Sequence, residues 1–66
     1  MAAIYNYQTA DTITSGLQGC KVCDEARQAA RRIAADRGET VVLEDDDGNW
    51  AISPDGTAEE LPESWV

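Results

Sequence analysis

Hydrophobic residues recur with a helical period in one stretch of the chain, residues 21–37. When successive residues are turned by about 100°, the apolar positions of this stretch share one arc of roughly 140°. They are Val22, Cys23, Ala26, Ala29, Ala30, Ile33 and Ala34. The pattern predicts a helix that begins near Cys20 or Lys21 and ends at Arg37, where Gly38 suits the left-handed position that stops a helix. Because most of these residues are alanine, the helix needs a broad surface close to it, most simply a β-sheet.

Before the helix, the pattern changes to the alternation typical of strands. Residues 3–8 place Ala3, Tyr5 and Tyr7 on one face and Ile4 on the other. A turn at residues 9–11 precedes residues 12–14, which we interpret as a short returning strand. The N-terminal part of the chain is therefore predicted to be a hairpin.

After the helix, residues 40–44 and 50–53 flank an Asp-rich connection at residues 45–49, which is typical of a β-hairpin. The number of loop residues decides which side chains share a face, since the side-chain period of a strand is two. An even number gathers the large apolar side chains on one face, so we expect the even register, which groups Val41, Leu43, Trp50 and Ile52.

A turn at residues 54–56 is followed by residues 57–61, which we predict to be an edge strand whose glutamates face water. The expected fold class is α+β: a small antiparallel sheet of three to five strands, in the order ββαββ with an optional extra C-terminal strand. One amphipathic helix packs on one face of that sheet. We assign residues 1–62 to a single domain and residues 63–66 to a loose tail.

Charge is distributed unevenly along the 66 residues, whose net charge is −8. All five basic residues fall within residues 21–37, whereas residues 38–66 contain nine acidic residues and no basic one. Such a surface attracts basic partners and repels nucleic acid. We therefore expect a basic protein surface as the partner, for example that of an enzyme which binds nucleic acid, and no direct contact with nucleic acid.

The candidate partner-binding residues are the acids of the predicted C-terminal strands and turns: Glu44, Asp45, Asp46, Asp47, Asp55, Glu59 and Glu60. The simpler interpretation is a solvated hairpin tip, since Asp favours turns. A calcium loop does not fit: aligning Gly48 with the invariant glycine puts Leu43 and Pro54 at positions that must supply side-chain oxygen. We predict no metal site and no cofactor.

The pair Cys20 and Cys23 forms a C-x-x-C at the predicted start of the helix, where the helix dipole stabilises a thiolate. This spacing suits a redox or metal-responsive site. The alternative is two buried, small hydrophobic residues. With no histidine and no second cysteine pair, zinc would lack two ligands.

Catalytic residues are not indicated, because the chain has no histidine, no activated serine and no base beside its cysteines. The leading hypothesis is a small, non-enzymatic interaction module, such as a phage or mobile-element inhibitor that mimics nucleic acid. The alternatives are a redox or metal-responsive module and a structural homodimer, the latter because a chain of this size has a thin core. With neither a signal-peptide pattern nor a long apolar run, we expect a cytoplasmic protein without membrane contact.

Overall fold

The computed structural model describes residues 2–17, 25–45 and 48–62, with the backbone alone for residues 17 and 45. Within these residues the chain forms one antiparallel sheet of five strands and one helix. In chain order these elements are β1 (Ala2–Asn6), β2 (Thr12–Leu17), α1 (Glu25–Arg37), β3 (Val41–Asp45), β4 (Gly48–Ile52) and β5 (Ala58–Leu61). The predicted α+β fold, with the additional strand after the second hairpin, is confirmed.

The strands lie side by side in the order β2-β1-β3-β4-β5. The first strand is therefore an interior strand, paired with β2 on one side and with β3 on the other. The connection from β2 through α1 to β3 passes from one neighbour of β1 to the other. This position buries Ile4 completely in the middle of the sheet.

Helix α1 packs its alanine face on the sheet, as its periodicity predicts. Ala26, Ala30 and Ala34 are buried, and they contact a cluster of strand residues on one face of the sheet. That cluster consists of Ala2, Ile4, Val41, Leu43 and Ile52. Small side chains allow a helix to lie close to the strands, so the larger residues of β1, β3 and β4 supply the apolar area. The predicted first turn of the helix, before Glu25, lies outside the described residues.

The end of α1 matches the sequence-based expectation. Gly38 follows the last helical residue with a φ of 65°, in the left-handed region that favours glycine. The Glu39 N–H donates to the Ala34 carbonyl at 3.2 Å, which is the six-to-one hydrogen bond of a Schellman motif. This motif stops the helix and turns the chain into β3.

The second hairpin has the expected even register. Val41 pairs with Ile52 and Leu43 with Trp50, so these four side chains share the face that α1 covers. The pairing of Asp45 with Gly48 leaves positions 46 and 47 between the strands.

Strand β2 is longer and less regular than predicted. It extends to Leu17, and its pairing with β1 shifts register twice. Between the Ile4–Thr14 and Ala2–Leu17 pairs, β2 has one residue more than β1. Gly16, with a φ of 77°, lies at this irregularity, as expected for a bulge that needs left-handed backbone.

Candidate functional site

The sheet has two different faces, which follow from its register. Residues directly paired in an antiparallel sheet point to the same side, and neighbours along a strand point to opposite sides. The residues that alternate with the core cluster therefore form the face opposite α1, which we call the outer face. Its members on β1, β3, β4 and β5 are Ala3, Tyr5, Val42, Glu44, Asn49, Ala51, Glu59 and Leu61.

The two sides of the sheet differ in charge composition: the α1 side carries both basic and acidic residues, and the outer face carries acidic ones. The basic residues that the structure describes all lie on α1, and they are Arg27, Arg31, Arg32 and Arg37. The charged residues of the outer face are Glu44 on β3 and Glu59 on β5. The outer face is consequently negative, and its described residues include no basic side chain to neutralise it.

The register places the predicted acidic residues in more than one location. Glu59 pairs with Ala51 and lies on the outer face, whereas Glu60 pairs with Trp50 and lies on the side of α1. Both glutamates are exposed. Alternation along the strand already indicates this split, because adjacent strand residues cannot share a face. Of the other predicted acids, residues 46 and 47 and the side chain of Asp45 lie outside the described residues.

Glu44 lies beside a tyrosine on the outer face. The Tyr5 hydroxyl donates to Glu44 Oε1 at 3.4 Å, a long O–H···O contact. Partial burial, the Glu44 charge and this hydrogen bond raise the pKa of Tyr5 above its ordinary value of 10.0. The phenol therefore stays neutral at physiological pH and leaves Glu44 with unused acceptor capacity for a cationic partner.

Asp55 belongs to the turn between β4 and β5. Its Oδ1 accepts the Thr57 N–H at 2.9 Å. The Ser53 N–H donates to the Thr57 carbonyl, and the Ser53 carbonyl accepts the Gly56 N–H, both at 2.9 Å. The hydrogen bonds from Thr57 lower the pKa of Asp55 below its ordinary value of 3.8. The carboxylate thus closes the turn and remains exposed, so it has a local structural role besides any contact with a partner.

The centre of the outer face is not a bare apolar patch. Val42 is fully buried there and Ala51 is 8% exposed, although α1 packs on the opposite side. Tyr5 and Glu44 are half-buried beside them, and Glu59 is exposed. A partner that approaches this face therefore meets polar and charged groups around a small closed apolar centre.

On the side of α1, an arginine lies over the indole ring beside Glu60. The Arg27 guanidinium carbon is 5.1 Å from the centre of the Trp50 ring, which is a cation–π contact. Trp50 is in turn the cross-strand neighbour of Glu60. Arg27 and Glu60 are therefore both neighbours of Trp50 on the α1 side, whereas Glu59 lies on the outer face. Sequence reasoning did not identify Arg27, because the contact joins a helix and a strand that are distant in sequence.

A polar cavity of about 350 Å³ lies at the end of the sheet where β1 and β4 end and β3 begins. Asn6, which is 9% exposed, donates from Nδ2 to Glu39 Oε2 at 3.1 Å and accepts the N–H groups of Gln8 and Thr9 through Oδ1. These bonds order the turn after β1. The sequence analysis did not single out Asn6 and Glu39, although Asn at the end of a strand is a common turn residue. The cavity is lined by Asn6, Gln8, Gly38, Glu39, Thr40 and Pro54.

The cysteine pair Cys20 and Cys23 lies outside the described residues, as does the tail at residues 63–66. Among the residues that are described, no group of three or more His, Cys, Asp or Glu side chains could hold a metal ion. Among the described residues, no helix is long and apolar enough to cross a membrane.

The fold and its surface define the class of this protein: a small α+β domain with a helix on one face of its sheet and acidic side chains on the other. Comparison with protein-family models, with curated proteins and with solved structures gives no match. The functional argument therefore depends on the residues themselves.

Proposed function

We propose that the protein is a non-enzymatic interaction module whose outer face binds a basic protein surface. The observation that carries this proposal is that the described basic residues are confined to the α1 side, so that the acids of the outer face have no basic neighbours among the described residues of that face. Glu44 and Glu59 occupy the outer face, while the described basic residues are all on α1. A cationic surface therefore meets only acidic charges among the described residues of the outer face, whereas the α1 side offers a mixture of acidic and basic ones.

The spacing of the two carboxylates supports an extended contact. Glu44 and Glu59 are two strands and two residues apart, so their Cα atoms are about 12 Å from each other. This separation is close to the Debye length of about 10 Å at 0.1 M salt. At this separation each carboxylate can pair with a different cationic group of the same partner. The net charge of −8 adds a long-range attraction that accelerates association.

Tyr5 adds a contact that is less dependent on charge. Its ring is half-buried beside Glu44, and tyrosine is enriched at protein interfaces because it offers a rigid apolar ring with a polar end. An arginine of the partner could stack on this ring and pair with Glu44 at the same time. The combination favours a guanidinium-rich surface over a diffuse layer of lysines.

The class of partner that fits best is an enzyme whose basic surface normally holds DNA or RNA phosphates. Occupation of that surface by carboxylates would inhibit the enzyme without any chemistry, as expected of a phage or mobile-element inhibitor. The proposal includes a cytoplasmic location, where such an enzyme would be met. The alternatives of a redox or metal-responsive module and of a homodimer remain predictions, the former because its cysteines lie outside the described residues.

Competition with DNA tests the proposal. Purified DNA-binding enzymes are incubated with the protein and a fluorescent DNA duplex, and displacement of the duplex is measured at several salt concentrations. We expect displacement that weakens with salt and weakens further in the variants Glu44→Gln and Glu59→Gln. The matched control is Glu25→Gln, which removes the same charge from exposed α1 and should displace DNA like the unaltered protein. Displacement insensitive to salt, or equally reduced by all three substitutions, would contradict a role of the outer face.

A further inference from the structure

We infer that the partner of the proposed module adds an extended basic segment to the outer edge of β5, as a sixth strand of the sheet. The inference rests on the proposed function and specifies how the partner is held. It begins from the fact that β5 is the last strand of the sheet order. An edge strand presents backbone N–H and C=O groups that another extended chain can pair with.

The two edges of the sheet differ in regularity. Strand β5 pairs with β4 through four consecutive residue pairs without a register shift. Strand β2, at the opposite edge, shifts register against β1 at two places. Bulges twist an edge and block the addition of a strand. Of the two edge strands among the described residues, β5 therefore has the more regular backbone for pairing.

Charge decides which segment fits this edge. Glu59 and Glu60 are exposed and point to opposite faces of β5. Two adjacent basic residues of an added strand also point to opposite faces, so one would meet Glu59 and the other Glu60. Because Glu59 and Glu60 lie on opposite faces, they do not form one flat acidic patch. The same arrangement suits the alternating side chains of an added strand.

A second copy of the chain is a poorer occupant. Antiparallel pairing of β5 with its own copy would place glutamates beside glutamates, and like charges opposite one another are destabilising. The edge is also short, because Pro62 lacks the N–H needed to continue the ladder and Asp55 closes a turn at the other end. Backbone pairing over four residues needs the additional attraction that a basic partner provides.

The experiment uses synthetic peptides and the full chain. The probe is the hexapeptide Thr-Val-Lys-Arg-Val-Thr with blocked ends, and the matched control is Thr-Lys-Val-Arg-Val-Thr, which has the same composition but both basic residues on one face. We expect the first peptide to bind more tightly. Two further versions carry N-methyl groups on alternate backbone amides, one in each register, and one of these two should not bind. Binding is measured by NMR titration, and amide exchange should slow at alternate residues of Ala58–Leu61.

Substitutions separate this inference from the proposed function. With the first peptide, Glu59→Gln and Glu60→Gln should each weaken binding by up to about fivefold, the upper range of a cross-strand pair. If Glu59→Gln weakens binding while Glu60→Gln and N-methylation have no effect, the partner binds the outer face and edge pairing is refuted. If no N-methylation and none of the substitutions Glu59→Gln, Glu60→Gln and Glu44→Gln changes binding, both the edge pairing and the acidic interaction surface are refuted. Sedimentation showing dimers with slowed exchange at β5 would assign the edge to a second copy and overturn the inference.

Discussion

The two faces of the sheet are built from alternate residues of the same strands, yet they differ in burial and in charge. On the α1 side, Ile4, Leu43 and Ile52 are buried against an alanine-lined helix. On the outer face, Val42 and Ala51 form a small closed centre bordered by charged side chains. A change on the first face is expected to alter stability, and a change at the rim of the second to alter binding. In the proposed module, alternation thus assigns the larger apolar side chains to the core under α1 and the charged ones to the binding surface.

The largest expected effect compares neighbours on opposite faces. Leu43 and Val42 are both fully buried. Leu43→Ala should lower the free energy of unfolding by about 2–5 kcal/mol, through lost burial and the cavity left under α1. Val42→Ala removes fewer carbon atoms and should cost about 2 kcal/mol. Urea unfolding monitored by tryptophan fluorescence gives both values. A loss at Val42 that matches or exceeds the loss at Leu43 would show that the outer face carries an equal part of the core.

The Schellman motif at Gly38, which ends α1, allows a second measurement of stability. Gly38→Ala should cost about 1–2 kcal/mol, because φ is positive there and a left-handed alanine is strained. A Cβ at this position would meet no atom within 4 Å, so the cost comes from the backbone alone. Gly38→Asn should cost less, since Asn tolerates this conformation. Equal stability of all three proteins would contradict the left-handed stop.

The contact between Arg27 and Trp50 ties α1 to β4 and should contribute less. Arg27→Gln should lower the free energy of unfolding by about 0.5–1 kcal/mol, the usual value for an exposed cation–π contact. Arg31→Gln changes the same charge on the same helix and is the control. Thermal unfolding compares them. If the two substitutions have the same effect, the loss is due to general charge and not to the indole ring.

The smallest effect is a pH dependence on the outer face. Because the pKa of Tyr5 is raised in the folded protein, folding favours the neutral phenol. The associated stability is complete below the unfolded pKa near 10 and is lost as the pH rises through the folded pKa. Glu44→Gln should move the Tyr5 pKa part of the way back to its ordinary value, leaving the part due to burial. Carbon NMR of the Tyr5 ring measures this shift, and an unchanged titration curve would exclude an influence of Glu44.

Much of the fold was predictable because it depends on local pattern. The alanine periodicity and Gly38 predicted where α1 packs and ends, and the parity of the second hairpin predicted that Leu43 and Trp50 share a face. The candidate site was less predictable. Glu44, Glu59 and Glu60 were predicted together as partner-binding residues, and the structure places the first two on one face and Glu60 on the other.

The sequence by itself determined the helical character of residues 25–37, the second hairpin, where α1 ends, and that all basic residues cluster in one stretch. These properties depend on neighbours three or four residues apart in a helix and two apart in a strand. Only the tertiary structure decided that β1 lies inside the sheet, that Val42 is buried on the outer face, and that Arg27 lies over Trp50. Each of these depends on which distant segments pair, and that choice is made by packing and backbone hydrogen bonding across the whole sheet.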